Sequence, residues 1–324
     1  MYNMHLVCGI DVSKDTLDLH YNTIEEKEVS LRVKNNEKGH LKILEVCGTR
    51  TYLMEASGPY YLRLATCLKQ EGADVRVENP VRIKRFIQMG LERNKNDKKD
   101  ARWLYRYARE RGGQVWQLPS EEALKCNSVS ASIELLTRQK TQLSNQLHSL
   151  KQLPGDHREL ARSLNKIKAA LVKEIKALEQ KLAATLKNWN GDQLANLSSI
   201  PGLGKRATAL LITTTDGFRK IKNHRQLIAL TGLAPREHTS GSSIKGKRGI
   251  CKMGNGHLRN VLYMCSLSAI KHNKACKELY DRLKAAGKKS KVALIAVCNK
   301  LLKQAFAIAT TGRKYQPDFK SRFA

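Results

Sequence analysis

From His5 to Gly112 the apolar residues switch between a period of two and a period of about three and a half, which restricts this stretch to mixed α and β structure. LVCGIDVS reads as a buried strand and, after a Lys14-Asp15 turn, TLDLHY reads as its hairpin partner. VSLRV alternates as a third strand. Helices and strands then take turns: GHLKILEVCG a helix, YLMEA a strand, YYLRLATCLKQEG a helix closed by Gly72, ADVRVENP a strand, VRIKRFIQMG a helix. DKKDARWLYRYARERGG ends the region as a helix with Gly112 and Gly113 at its C-terminal end.

A three-strand meander followed by alternating helices and strands is the order of an RNase H-like sheet. The expected fold class is therefore α/β in the N-terminal domain and mainly α-helical beyond it. That order collects acids. Asp11 ends the first strand in CGIDVS, Glu55 ends the fourth in YLMEAS, and Asp97 and Asp100 lie three apart on the helix DKKD, hence on one face. Four carboxylates brought together repel one another unless cations stand between them, and hard oxygen ligands suit Mg²⁺ or Mn²⁺. Two such ions activate a nucleophile and stabilise the leaving oxygen of a phosphodiester, so the chemistry expected is phosphoryl transfer. Each acid alone also reads as an ordinary turn or helix-surface residue; the set points to chemistry. Lys95, Lys98 and Lys99 beside them are candidates for holding phosphates, or plain solvated charge.

Between Pro119 and Trp189 the strands stop and Leu/Ile positions recur three or four apart, from Ile133 to Leu150 and again from Leu160 to Leu182. Pro154-Gly155 interrupts the run, so two antiparallel helices are predicted, as a dimerisation or spacing arm or as part of an ordinary bundle. After Trp189 glycines and short helical signals mark a third, mainly helical domain. The expected divisions are 1–115, 116–190 and 191–324.

Lys and Arg number 59 against 29 Asp and Glu, a surplus of +30 spread along all 324 residues, which calls for extended contact with a polyanion. No basic amphipathic anchor flanked by Trp points to a membrane, and the apolar run VALIAVCNKLLKQAFAIA carries Asn299, Lys300, Lys303 and Gln304 at helical spacing, as an amphipathic soluble helix does. The first residues lack a charged segment followed by a long apolar one, so no secretory signal is expected, and eight cysteines without a CxxC pair read as reduced thiols in a cytoplasmic protein.

SIPGLGKRATALLI, from Ser199 to Ile212, reads as a helix end, a PGLG turn and a new helix from about Lys205, similar to a helix-hairpin-helix in which backbone N–H groups hold a phosphate. Gly202, Gly204, Lys205 and Arg206 are its candidate contacts; a plain packing element is the other reading. Further on, Ser240, Ser242 and Ser243 lie among glycines with Lys245, Lys247 and Arg248. Composition alone reads this as a flexible phosphate-binding loop, although a serine there is also a possible nucleophile on a phosphodiester. His238, His257 and His272 with Cys251, Cys265 and Cys276 match no structural-zinc spacing.

Taken in order, GIDVSKDTLDLHY, MEASGPY, NKNDKKDARWLYRYA, SIPGLGKRATALLI and GLAPREHTSGSSIKGKRGICKMGNGHLR resemble the DEDD transposases of bacterial insertion sequences, also called bridge recombinases. The resemblance implies an N-terminal RuvC-like domain, a coiled-coil connector and a C-terminal transposase domain. It implies that Asp11, Glu55, Asp97 and Asp100 are the metal-binding tetrad and that Ser240, the serine before a glycine in HTSGSS, forms a covalent phosphoserine link to DNA. It further implies donor and target double-stranded DNA and a structured noncoding guide RNA as partners, and a homo-oligomer, dimer or tetramer. A junction-resolving nuclease, with the acids but no nucleophilic serine, and a non-catalytic nucleic-acid-binding scaffold are the alternative readings.

Overall fold

The computed structural model describes residues 6–91, 97–236, 239–240, 244–245 and 249–318, with side chains undescribed at 97–98, 239–240 and 244–245. The chain divides into two compact units, Met1–Leu118 and Pro119–Ala324.

In the first unit, β1 (Val7–Val12), β2 (Thr16–Asn22) and β3 (Glu28–Lys34) form the meander, followed by α1 (Glu37–Cys47), β4 (Thr51–Glu55), α2 (Tyr61–Gln70), β5 (Asp74–Glu78), α3 (Pro80–Met89) and α4 (Asp97–Arg111). The sheet order is β3-β2-β1-β4-β5, with β1 antiparallel to β2 and parallel to β4. This mixed sheet has the element order expected of an RNase H-like domain. Local chemistry sets the joints. Ser13 Oγ accepts from the Thr16 amide at 3.0 Å to close the first turn, Asn36 caps α1 by accepting from the Gly39 amide at 2.9 Å, and Asn79 caps α3 with Pro80 pre-set in its first turn.

Strand alternation divides the core between the two faces of the sheet. Cys8, Ile10, Tyr52, Met54 and Val75 pack with Ile43 of α1 and Leu64 and Leu68 of α2. Val7 and Leu53, on the other face, pack with Ile83 and Phe86 of α3 and Leu104, Tyr105 and Ala108 of α4. Gly9 lets α4 come close: a Cβ there would stand 2.2 Å from the Tyr105 amide nitrogen and 2.5 Å from the Ala101 carbonyl oxygen.

The second unit is helical. α5 (Glu121–Leu150) and α6 (Arg158–Ser198) flank the Pro154-Gly155 break, and α6 is kinked at Asn190, whose φ/ψ of −141°/49° is not helical. Then come α7 (Lys205–Thr215), α8 (His224–Thr231), four two-residue strands β6 (Pro235–Arg236), β7 (Thr239–Ser240), β8 (Ile244–Lys245) and β9 (Gly249–Ile250), α9 (Gly256–His272), α10 (Lys274–Ala285) and α11 (Ser290–Thr311). Among the described helices only α11 has the length and apolarity to cross a membrane, with mean hydropathy 1.6, and its apolar face lines the core: Ala293, Leu294, Val297, Cys298, Leu301, Leu302 and Ala305 are buried. Its polar residues are used inside the fold, where Gln304 Oε1 accepts from Asn273 Nδ2 at 3.0 Å and Asn299 Nδ2 donates to the Leu233 carbonyl at 3.4 Å. All eight cysteines are free thiols.

Candidate active site

Asp11 lies two residues beyond Gly9 on β1 and therefore on the face that α4 covers. Glu55 lies two residues beyond Leu53 on the parallel strand β4, one position past the paired residues Ile10 and Met54, so the two acids are neighbours on one face at the same strand ends. The register extends the row in both directions. Asp18 of β2 stands opposite Asp11, Arg32 of β3 opposite Asp18, and Glu78 of β5 opposite Glu55. Across the sheet the order is thus Arg32, Asp18, Asp11, Glu55, Glu78.

The outer acids have donors built in. Arg32 Nε donates to Asp18 Oδ1 at 2.9 Å. Glu78, 1% exposed, accepts from Tyr107 Oη at 3.1 Å, from the Asn79 amide at 2.9 Å and from Arg82 Nη1 at 3.5 Å. Burial first, and then the Glu78 charge beside it, push the Tyr107 phenol up, so it remains a donor. Sequence reasoning missed Asp18 and Glu78. A signal for Glu78 existed, since DVRVE is a second strand ending in Glu next to YLME.

α4 brings the other acids. Ala101 rests on Gly9, so Asp100, one residue earlier, enters the same neighbourhood from above the sheet. Asp97 is the first residue of α4, three before Asp100; its side chain, like that of Lys98, is not described, and Lys95 lies outside the described residues. Asp11, Glu55, Lys99 and Asp100 are each engaged in polar or ionic interactions. Among the described residues no three His, Cys, Asp or Glu side chains are drawn together as a finished metal cage. The donor set itself, all carboxylate oxygen, is the kind that suits Mg²⁺ or Mn²⁺.

The far side of α4 is fixed by a polar network. His20 bonds Ser30 Oγ at 2.9 Å and Glu28 Oε2 at 3.1 Å, and stacks edge-on against Tyr105 at 5.1 Å. Arg102 of α4 donates to the same Glu28 oxygen at 3.1 Å, and the His20 bond, with Arg102, holds the Glu28 carboxyl below the usual range.

In the second unit the PGLG segment is a tight turn. Gly202 has φ +92°, and a Cβ there would stand 2.6 Å from Ala269 Cα of α9, while Leu203 is buried. Gly204 starts α7 in extended conformation with no side-chain cap, and Gly204, Lys205 and Arg206 are exposed. Lys205, Arg206, Lys187 and His257 line a cavity of about 520 Å³ with an apolar floor of Leu182, Leu186 and Leu210. Ser240 is placed by its backbone alone, opposite Ile244 in the β7–β8 hairpin, with Lys245 opposite Thr239. Ser242, Ser243, Lys247 and Arg248 lie outside the described residues.

Residues 194–281 match the family model described as "Transposase IS116/IS110/IS902 family", and residues 8–154 match a model described as "Transposase", of the DEDD group of IS110 elements. The chain belongs to this family of transposases. A pilin gene-inverting protein of Moraxella lacunata is 25% identical over 320 residues, spanning 95% of this chain and 96% of its own. The transposase for insertion sequence element IS1328 of Yersinia enterocolitica is 24% identical, spanning 96% of this transposase and 98% of its own chain. Among solved structures, T. thermophilus RuvC in complex with Holliday junction substrate aligns with 35% of this chain and 99% of its own, at 15% identity and a TM-score of 0.27.

Proposed function

We propose that this transposase cuts and rejoins double-stranded DNA with a divalent-metal carboxylate site made by Asp11, Glu55, Asp97 and Asp100, and with Ser240 as the nucleophile. One observation carries the reading: Asp11 and Glu55 stand side by side at two strand ends on the face where the helix bearing Asp97 and Asp100 begins. Bound there, Mg²⁺ or Mn²⁺ supplies Lewis-acid stabilisation of charge at a phosphodiester. The chain's own groups do the rest. The outer acids of the row have their own donors, Arg32 for Asp18 and Tyr107, the Asn79 amide and Arg82 for Glu78.

The Ser240 hydroxyl oxygen attacks phosphorus as its proton is given up, and the departing DNA oxygen takes up a proton and leaves as a hydroxyl, so one P–O bond forms as another breaks. The phosphoserine ester retains the bond for resealing by a DNA hydroxyl. Lys245, Lys247 and Arg248 near this serine in sequence are the cations for the pentavalent charge. The acids and Ser240 belong to different units of the chain.

In this reading residues 1–115 form a RuvC-like catalytic domain, 116–190 a coiled-coil arm and 191–324 the serine-bearing domain with a helix-hairpin-helix-like phosphate clasp at Gly202, Gly204, Lys205 and Arg206. The arm serves assembly into a homo-oligomer, dimer or tetramer. Leu135, Leu160 and Ile167 on α5 and α6 are 51%, 58% and 50% exposed, which supports a further helix packing on them. A structured noncoding RNA pairing with donor and target DNA supplies the sequence choice, in a cytoplasmic protein that meets the nucleoid through its DNA.

The test is cleavage of donor DNA by the full chain with its element's noncoding RNA in Mg²⁺. Asp11→Asn and Glu55→Gln are each expected to lower the rate by at least about 10²-fold while the variants melt like the parent protein. Cleavage at the parent rate by both variants would remove the carboxylate site.

A further inference from the structure

Glu78 is 1% exposed, and a carboxylate so deeply buried destabilises the fold unless donors hold it. Here it is also the in-register neighbour of Glu55, so its charge adds repulsion that an apolar residue would avoid. Its principal cross-element partner is Tyr107 of α4, whose hydroxyl donates to Oε2 at 3.1 Å; the other carboxylate oxygen accepts from the Asn79 amide and from Arg82 at the start of α3. Tyr107 stands seven residues after Asp100, two helical turns on and therefore on nearly the same side of α4. Phe86 fixes its ring edge-on at 5.1 Å.

We infer that Glu78 and Tyr107 are a positioning pair for the carboxylate site, setting the slide and rotation of α4 so that Asp97 and Asp100 meet the strand ends bearing Asp11 and Glu55. The inference rests on the reading of those four acids as metal ligands. Glu78 sits one strand from Glu55 and Tyr107 two turns from Asp100, so their hydrogen bond ties α4, which carries Asp97 and Asp100, to β5, the strand paired in register with the one that carries Glu55. In this role neither residue is a metal ligand.

The experiment measures Mn²⁺ binding to the full chain by calorimetry, without nucleic acid, beside the Mn²⁺ dependence of DNA cleavage. Tyr107→Phe keeps the ring and removes only the donor; Glu78→Gln keeps one acceptor and removes the charge. Each is expected to weaken Mn²⁺ binding by roughly tenfold, the low end of what outer-layer partners of ligands contribute. The Mn²⁺ needed for half-maximal cleavage rises in step, while the rate at saturating Mn²⁺ returns towards that of the parent. Tyr105→Phe is the control, because its hydroxyl accepts from Arg109 on the same helix and does not meet Glu78; it binds Mn²⁺ as the parent does. Parent-like Mn²⁺ binding by both Tyr107→Phe and Glu78→Gln, with binding lost in Asp11→Asn, would overturn the positioning role alone. Parent-like binding by Asp11→Asn would overturn the metal site itself, and the positioning role with it.

Discussion

A methyl group at Gly9 would stand 2.2 Å from one backbone atom of α4 and 2.5 Å from another, and neither can yield without moving the helix. Gly9→Ala is accordingly expected to cost about 1–3 kcal/mol or more in a urea melt and to impair cleavage, because the displaced helix carries Asp97 and Asp100. A second residue-scale device joins the start of α5 to the end of α7. Asp216, in left-handed conformation after α7, accepts from Ser120 Oγ at 2.6 Å, and Ser120 also caps α5. Burial alone would raise the Asp216 carboxyl, but the Ser120 hydrogen bonds and the Arg219 charge outweigh it and hold the group below the usual carboxylate range. The folded value lies below the unfolded one, so Asp216 adds stability above about pH 4, and that stability is lost as pH falls through the folded value. Asp216→Asn is expected to lower the melting temperature at pH 7 and to flatten its fall between pH 5 and pH 2; an unchanged slope would contradict the assignment. At this scale Asp11 and Glu55 were legible because an apolar strand ending in an acid shows in one dimension. Glu78 ends DVRVE in the same way and carried the same signal, whereas Asp18, inside its strand, did not, since its place in the row depends on strand register, which the spacing of one strand does not contain.

The elements repeat the contrast. The helix pair α5–α6 could be read from Leu/Ile spacing and from Pro154-Gly155, and the start of α7 at Lys205 from the PGLG turn. The paired strands β6–β9 could not, because two-residue strands have no period to detect. Nor does spacing show that the α6 stripe is only partly covered: Ile175, Leu182 and Leu186 are buried, while Leu160 and Ile167 stand half exposed. If the exposed N-terminus of α7 clasps a phosphate, the double variant Lys205→Ala, Arg206→Ala should weaken DNA binding equally across sequences. It should lower the slope of log K against log salt by about 0.9 for each lost phosphate contact. An unchanged slope would assign the PGLG turn to packing alone. Gly202→Ala, strained by its positive φ and blocked by Ala269, is expected to destabilise the second unit by more than about 1 kcal/mol, read as a lowered melting midpoint.

At the scale of the whole molecule, a surplus of +30 charges suits a transposase that holds DNA. The proposed carboxylates and the proposed Ser240 nucleophile are tested together on one DNA substrate. The most direct measurement is recombination between donor and target plasmids with the element's noncoding RNA in Mg²⁺, comparing the parent with Ser240→Ala and Asp11→Ala and probing for protein linked to DNA. Recombinants and a protein–DNA adduct are expected with the parent, and neither with either variant. Full recombination by Ser240→Ala would contradict the Ser240 assignment and pass the attack to another serine or to water.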